Sequence, residues 1–297
     1  MGNNYLFNSL FVLLASVLVF MMQMGFACCE SCFSRAKNAC NIWLKNFCDF
    51  CVGAFVYYLI GFGIMYGDDF HGLFGTTGFI NPLAQNLSVW KGLGGSLSPQ
   101  IYLLFQTMFC ATAATIISGA VAERFKFSSY LIVSTIMSGI IYPVIGHWVW
   151  GGGLFDQHLV VLDFAGGTVV HICAATTGIA LACFVGKRSE RVIKRAHNMP
   201  MVFLGFAMLW FGWLGFNGGS GLAADGVAVN AMLVTIVAPA AGIVSWAVVQ
   251  TVHAGHTSTL GLVSGALAGL VGITPAAGYV GPGPAIVIGA VAGAVCY

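Results

Sequence analysis

A chain of 297 residues with 59% apolar and only 7% charged residues, and a mean hydropathy of +0.91, is not a soluble globule, whose charged share is nearer about a quarter. It reads as an all-α polytopic membrane protein. Forty glycines and 13% aromatics fit that class, since small residues let spanning helices approach and aromatics gather at interfaces and cavities; the net charge of +2 carries no nucleic-acid footprint.

The first apolar run, Tyr5 to Cys28, has no Lys or Arg before it and no small-residue cleavage site after it. It is expected to stay as a first span rather than be removed as a signal peptide. Met1 to Leu6 lacks the Ser or Thr that myristoylation wants. Apolar windows of membrane-spanning length fall near 6–29, 47–67, 99–121, 128–150, 164–186, 199–217, 227–250, 258–276 and 280–297, giving eight spans and an incomplete ninth.

The connections alternate in charge. Arg35, Lys37 and Lys45 follow span one, Arg124 and Lys126 follow span three, and Lys187, Arg188, Arg191, Lys194 and Arg195 follow span five. Only Lys91 lies in a loop of the other parity. The positive-inside rule then puts the odd-to-even loops in the cytoplasm and the amino terminus outside. Asp68 to Pro99, rich in Gly and Pro, becomes a long, mobile outer loop at a vestibule.

Gly261, Gly265 and Gly269 repeat every four residues, as do Gly289 and Gly293, which makes a flat ridge for close helix packing. Six cysteines (Cys28, Cys29, Cys32, Cys40, Cys48 and Cys51) crowd the first cytoplasmic connection. A reducing cytosol argues against structural disulfides, and they read as small apolar filler. The carboxyl end, Val295-Cys296-Tyr297, stops inside an apolar run, so a single transmembrane domain over 1–297 is expected to be incomplete there.

Candidate functional residues lie on the outer side. Phe105 and Phe109 stand at i and i+4 on one helix face, either as two core or lipid-facing rings or as part of a path. Trp150, after His147 and before Gly151-Gly152-Gly153, is a belt tryptophan or a cation–π platform. Phe216 to Ser220 closes span six on the same side, as a glycine-rich helix end or as a ring and a hydroxyl for a small cation.

The stretch Asp163-Phe164-Ala165-Gly166-Gly167-Thr168-Val169-Val170-His171 carries an acid and an imidazole into a long apolar segment. Ionisable groups inside a span are functional hypotheses by default. Asp163 is an N-cap or a ligand contact. His171 lies eight residues deeper, about 12 Å at helical rise, where desolvation favours a neutral ring. It is a satisfied packing residue or a hydrogen-bonding group for an uncharged polar solute. His253 and His256 read as solvated residues of the internal loop after span seven. No nucleophile elbow, phosphate-cradling loop or metal-binding motif is present, so neither an enzyme nor a cofactor is expected.

These residues resemble the ammonium transporter family, the Amt/Mep/Rh superfamily, and its Amt branch in particular. The resemblance is carried by Arg35-Ala36-Lys37-Asn38, Lys45-Asn46-Phe47, Gly119 to Arg124, His147 to Gly153, Asp163 to His171, Asn198-Met199-Pro200, Phe216 to Ser220 and Gly269 to Pro275. It implies eight to nine of the family's eleven transmembrane helices, a homotrimer with one pore per subunit in a plasma or bacterial inner membrane, and a regulatory protein on the cytoplasmic side. It also implies external recruitment of ammonium by Phe105, Trp150 and Ser220 with Asp163 beside them, a gate of Phe109 and Phe216, and a pore in which His171 matches the first of two histidines.

A bare ion is too costly to desolvate in an apolar pore, so the resemblance implies that ammonium leaves its proton and ammonia crosses. The family's second pore histidine belongs to a tenth helix, which this chain does not reach. Cys28-Cys29-Glu30-Ser31-Cys32 stands where apolar residues are expected around the glutamate. Two rival readings follow: a non-conducting ammonium sensor domain, and a nonfunctional fragment.

Overall fold

A computed structural model describes residues 3–159, 161–187 and 196–297. Eight helices in it are long and apolar enough to cross a membrane: Asn4–Phe33, Ala36–Tyr66, Pro99–Ala120, Phe127–Gln157, Gly167–Val185, Met199–Gly219, Gly226–Ala254 and Thr259–Ala276. A shorter apolar helix, Pro282–Cys296, follows. These are called spans one to nine below. The order and number match the apolar windows. Among the described residues the only strands are Asp69–Phe70 and Phe74–Gly75, an antiparallel pair in the outer loop.

Span two departs most from its window, since the helix begins at Ala36 rather than near residue 47. Its first half carries Lys45 and Asn46, which precede the apolar window, and Asp49 just inside it, yet all three are buried. Each finds a polar partner inside the protein. Lys45 Nζ donates to the Phe125 carbonyl at 2.8 Å, Asn46 Nδ2 donates to Glu30 at 3.1 Å, and Asp49 accepts from the Tyr130 hydroxyl. A polar group leaves water for a helix interior when such a partner offsets its desolvation.

Span one lies along span six, where small residues let the backbones meet. A Cβ on Gly205 would stand 2.8 Å from Cys28 Cβ, and one on Gly25 would stand 2.8 Å from the Gly205 carbonyl. Cys28, Cys29 and Cys32 are buried and unbridged in this seam, whereas Cys40 and Cys51 are exposed and Cys48 is half-buried, so the filler role expected of all six does not extend to those three. The glycine ridge of span eight packs as its spacing predicts. Gly265 and Gly269 face the Gly242 and Ala238 carbonyls of span seven so closely that an added Cβ would stand 2.7 and 2.6 Å from those oxygens.

The ends separate by charge. At one end Glu123 accepts from the Arg35 backbone N–H and Nε, and Arg124 donates to the carbonyls of Gly186 and Ala120. At the other, Asn8 brackets the Ser96 carbonyl and the Ala224 N–H. Arg188, Arg191, Lys194 and Arg195 lie outside the described residues.

The outer loop, expected to be mobile, is tied down at many points. Asp69 accepts from the buried His147 at 2.9 Å and from the Gly72 N–H, while Trp148 Nε1 donates to the Leu73 carbonyl at 2.9 Å. Trp90 stacks on Phe62 with ring centroids 5.2 Å apart. His253 sits in the last turn of span seven rather than in a loop, with Nδ1 2.8 Å from the Tyr297 hydroxyl; His256 is in the turn that follows.

Candidate functional site

Spans two, three, four and seven and the connections beside them converge at the outer end on a cavity of about 410 Å³ whose wall includes Phe105, Phe109, Trp150, Asp163, Phe164 and Ser220. Span three supplies Phe105 and Phe109 from one face, with ring centroids 4.7 Å apart. Their alternative as lipid-facing rings does not hold, since each is 1% exposed. Close approach behind Phe105 depends on Gly219, where a Cβ would stand 2.8 Å from the ring.

Trp150 is no belt residue. Its indole stands edge-on to Phe109 at 6.2 Å, and its Nε1 donates to the Asp163 carbonyl at 2.7 Å. With its N–H bonded to the wall, the indole lines the cavity. Ser220 donates its hydroxyl proton to the Phe216 carbonyl at 2.8 Å, so the oxygen keeps its lone pairs for a donor guest.

Asp163 realises the capping alternative. Oδ1 accepts from the N–H groups of Gly166 and Gly167 at 2.8 and 2.7 Å, and Oδ2 from those of Thr168 and Val169 at 2.7 and 3.0 Å. Four helix-start donors with no intrahelical partner are thereby satisfied. The chain can turn so sharply into span five because Gly166 takes φ +97°, a region that other residues enter at a cost.

Below the cavity Phe109 meets Phe216 of span six face to face, with centroids 4.0 Å apart and planes at 13°. Behind Phe216 lies the His171 imidazole at 5.7 Å, itself stacked on Trp213 at 5.1 Å and 16°. His171 belongs to a π-helical turn, Gly167–Ile172, in which both the Val170 and the His171 N–H return to the Gly166 carbonyl. Such wide turns often accompany functional side chains. The ring is 6% exposed, and its Nε2 is buried without a partner.

The arrangement therefore runs inward from an acid-bordered aromatic cavity, through a closed ring pair, to an unpaired imidazole nitrogen. Phe105, Phe109, Trp150, Asp163, Phe216, Ser220 and His171 all fall on this line. Sequence reasoning did not single out Tyr66, Tyr102, Gln106 and Tyr279, which also line the cavity, or Trp213, which backs His171. Tyr102 and Gln106 share the helix face of Phe105 and Phe109, and Trp213 precedes Phe216 by three residues, so helical spacing held a signal for these three. Tyr66 and Tyr279 arrive from distant segments.

Comparison with known proteins gives one consistent family. Residues 10–297 match the family model described as Ammonium Transporter Family. An ammonium transporter of Bacillus subtilis (strain 168) is 37% identical over 300 residues, spanning 98% of this chain and 71% of that protein. A solved structure described as a sensor Amt protein superposes with TM-score 0.89 at 35% identity, covering 97% of this chain and 73% of that one. The structure of Saccharomyces cerevisiae Mep2 superposes with TM-score 0.87 at 32% identity, covering 98% and 67%.

Proposed function

The chain belongs to the ammonium transporter family, and on that premise we propose that it moves ammonium nitrogen across a membrane by recruiting the ion outside, stripping its proton and passing ammonia along the line just described. Recruitment falls to Phe105, Trp150 and Ser220: two ring faces attract a small cation by about 0.5–2 kcal/mol each, and the serine oxygen accepts an N–H. Asp163 adds negative charge to the wall and fixes the indole through its own carbonyl.

The observation that carries this reading is the closed pair of Phe109 and Phe216 between the cavity and His171. A hydrated ion cannot pass stacked rings, and a bare one cannot be afforded in the apolar interior beyond them. Ammonium can shed a proton where potassium and sodium cannot, which makes the barrier selective. His171 Nε2, unpaired in the interior, then offers a hydrogen bond to the neutral molecule.

The working assembly is a homotrimer in the bilayer, with a cytoplasmic regulator meeting the basic end. The sensor reading draws on the similarity to a structure described as a sensor and differs in one observable, flux. Growth on limiting ammonium of a yeast lacking its own transporters, with the chain verified in the membrane, separates them. Uptake that depends on His171 supports transport; saturable binding without flux supports sensing; neither would remove both.

A further inference from the structure

The acid that the sequence sets among cysteines takes no part in the line from the outer cavity to His171. Glu30 lies at the other, basic end of the bundle, half-buried, in the wall of a cavity of about 110 Å³ that it shares with Phe33 and Ser34 at the end of span one and Gly119 and Ala122 at the end of span three. A water-sized ion fits such a volume. Gly119, with no side chain, leaves the carboxylate uncovered on the span-three side; a Cβ there would stand 3.5 Å from Glu30 Oε1.

This wall supplies what a small cation with N–H groups needs. A carboxylate has about four lone-pair sites. Asn46 Nδ2 donates to Oε2 at 3.1 Å, and the Ser118 hydroxyl and the Gly119 N–H reach the group as well, which still leaves a site for a guest. Ser34 Oγ gives its own proton to the Ser31 carbonyl at 2.7 Å and so keeps its lone pairs, and Phe33 adds an aromatic ring. The neighbouring cations are engaged elsewhere. Lys45, within electrostatic reach of Glu30, directs its Nζ to the Phe125 carbonyl at 2.8 Å and lies 5.8 Å from the Tyr130 ring centre, while Arg35 Nε is paired with Glu123 at 3.1 Å.

We propose that this cavity is an ammonium-binding site at the basic end of the bundle, in which Glu30 supplies the charge and one acceptor, Ser34 a second acceptor and Phe33 a ring face. Potassium must be given several oxygens in place of its water shell, and two side-chain oxygens with a ring fall short of that. An N–H cation is satisfied by few, well-directed acceptors. Methylammonium, with its remaining N–H groups and a methyl for the ring, belongs to the same class. The choice of ammonium rests on the proposed function, which delivers nitrogen to this end, but binding here requires no flux.

The test is infrared difference spectroscopy of the purified 297-residue chain in lipid nanodiscs, recorded as ammonium chloride replaces sodium chloride at constant ionic strength. Ammonium at Glu30 is expected to shift a carboxylate stretching band in a saturable way, and Glu30→Gln to abolish that response while the rest of the difference spectrum stays. Gly119→Val leaves the carboxylate in place and fills the cavity, so the same response should vanish. Ser34→Ala, the mildest change and a guard against misfolding, is expected to raise the half-saturating ammonium concentration about tenfold, the loss of one hydrogen bond to a charged guest. Potassium chloride should give only a small fraction of the ammonium response.

Identical difference spectra from the parent and Glu30→Gln would overturn the site, as would a Gly119→Val response equal to the parent's or a potassium curve that coincides with the ammonium one. A Glu30-dependent band that survives Trp150→Leu, in a chain with no flux in cells, would instead strike the transport reading and leave this site standing.

Discussion

Phe109 and Phe216 lie face to face, 4.0 Å between centroids and 13° between planes, and neither ring is more than 1% exposed. They come from spans three and six, so the barrier is closed by two helices rather than by a loop. Shortening Phe216 opens it and leaves the Phe109 ring in the cavity wall above. Phe216→Leu is expected to fold and to let potassium leak where the parent passes none, measured as potassium current in proteoliposomes. Phe216→Ala should leak more but lose about 3–5 kcal/mol of stability, as deep Phe truncations do. A potassium-tight Phe216→Leu would remove the gate assignment.

Asp163 holds four backbone N–H groups with two oxygens. Asp163→Ala leaves all four buried donors unpaired, and with about 1–3 kcal/mol at stake for each such group it should prevent stable insertion. Asp163→Asn keeps one accepting oxygen and is expected to fold with a lowered unfolding temperature and weakened ammonium binding. Thermal unfolding in detergent ranks the three proteins; an Asp163→Ala as stable as the parent would show that the cap is dispensable.

Trp213 stacks on His171 and donates its indole N–H to Thr274 Oγ1 at 2.9 Å. Trp213→Phe keeps an aromatic face behind the imidazole and loses the hydrogen bond, a change of about 1 kcal/mol, with flux close to the parent. Trp213→Leu removes the face, and flux should fall toward that of His171→Ala. Equal flux in Trp213→Leu and the parent would free His171 from this support.

Two carboxylates outside the spans should report on pH from opposite sides of the membrane. The His147 bond, ahead of the opposing effect of burial, holds the Asp69 carboxyl below its ordinary range. For Glu123 burial acts upward and is outweighed by the Arg35 N–H, Asn38 and the Arg35 side chain, so it too is lowered. A lowered folded value means stability that is whole above the ordinary carboxyl range of about 4 and drains as pH falls through the folded value. Hydrogen exchange of residues 69–77 should therefore accelerate only below about pH 4, and Asp69→Asn should remove that dependence. Glu123→Gln should do the same for the Arg35 to Asn38 turn.

The topology was legible because apolar length and the side of Lys and Arg are local properties. The second span shows the limit of such reasoning. Lys45 and Asn46 look like loop, and Asp49 like a charge stranded in a span, until Phe125, Glu30 and Tyr130 are brought to them from other segments. Of the candidate site, Phe105, Phe109 and Phe216 could be marked from spacing and resemblance, whereas the partnerless Nε2 of His171 is a fact about what surrounds it. Asp163 could be read as cap or ligand contact; that its oxygens are occupied by four N–H groups only the folded turn decides.

The wide turn from Gly167 to Ile172 also sets how the gene can change. It opens span five and holds an extra residue in one revolution, so the residues beyond it are one step out of phase with a regular α-helix begun at Gly167. Deleting a single residue there would restore regular winding and leave the apolar run long enough to span. It would also rotate His171 by roughly a quarter turn relative to Asp163, away from Phe216. The segment is thus tolerant of substitution in its lipid-facing positions but intolerant of any shift in reading length, and a single-codon deletion should yield a protein that inserts normally with His171 displaced from its place behind Phe216.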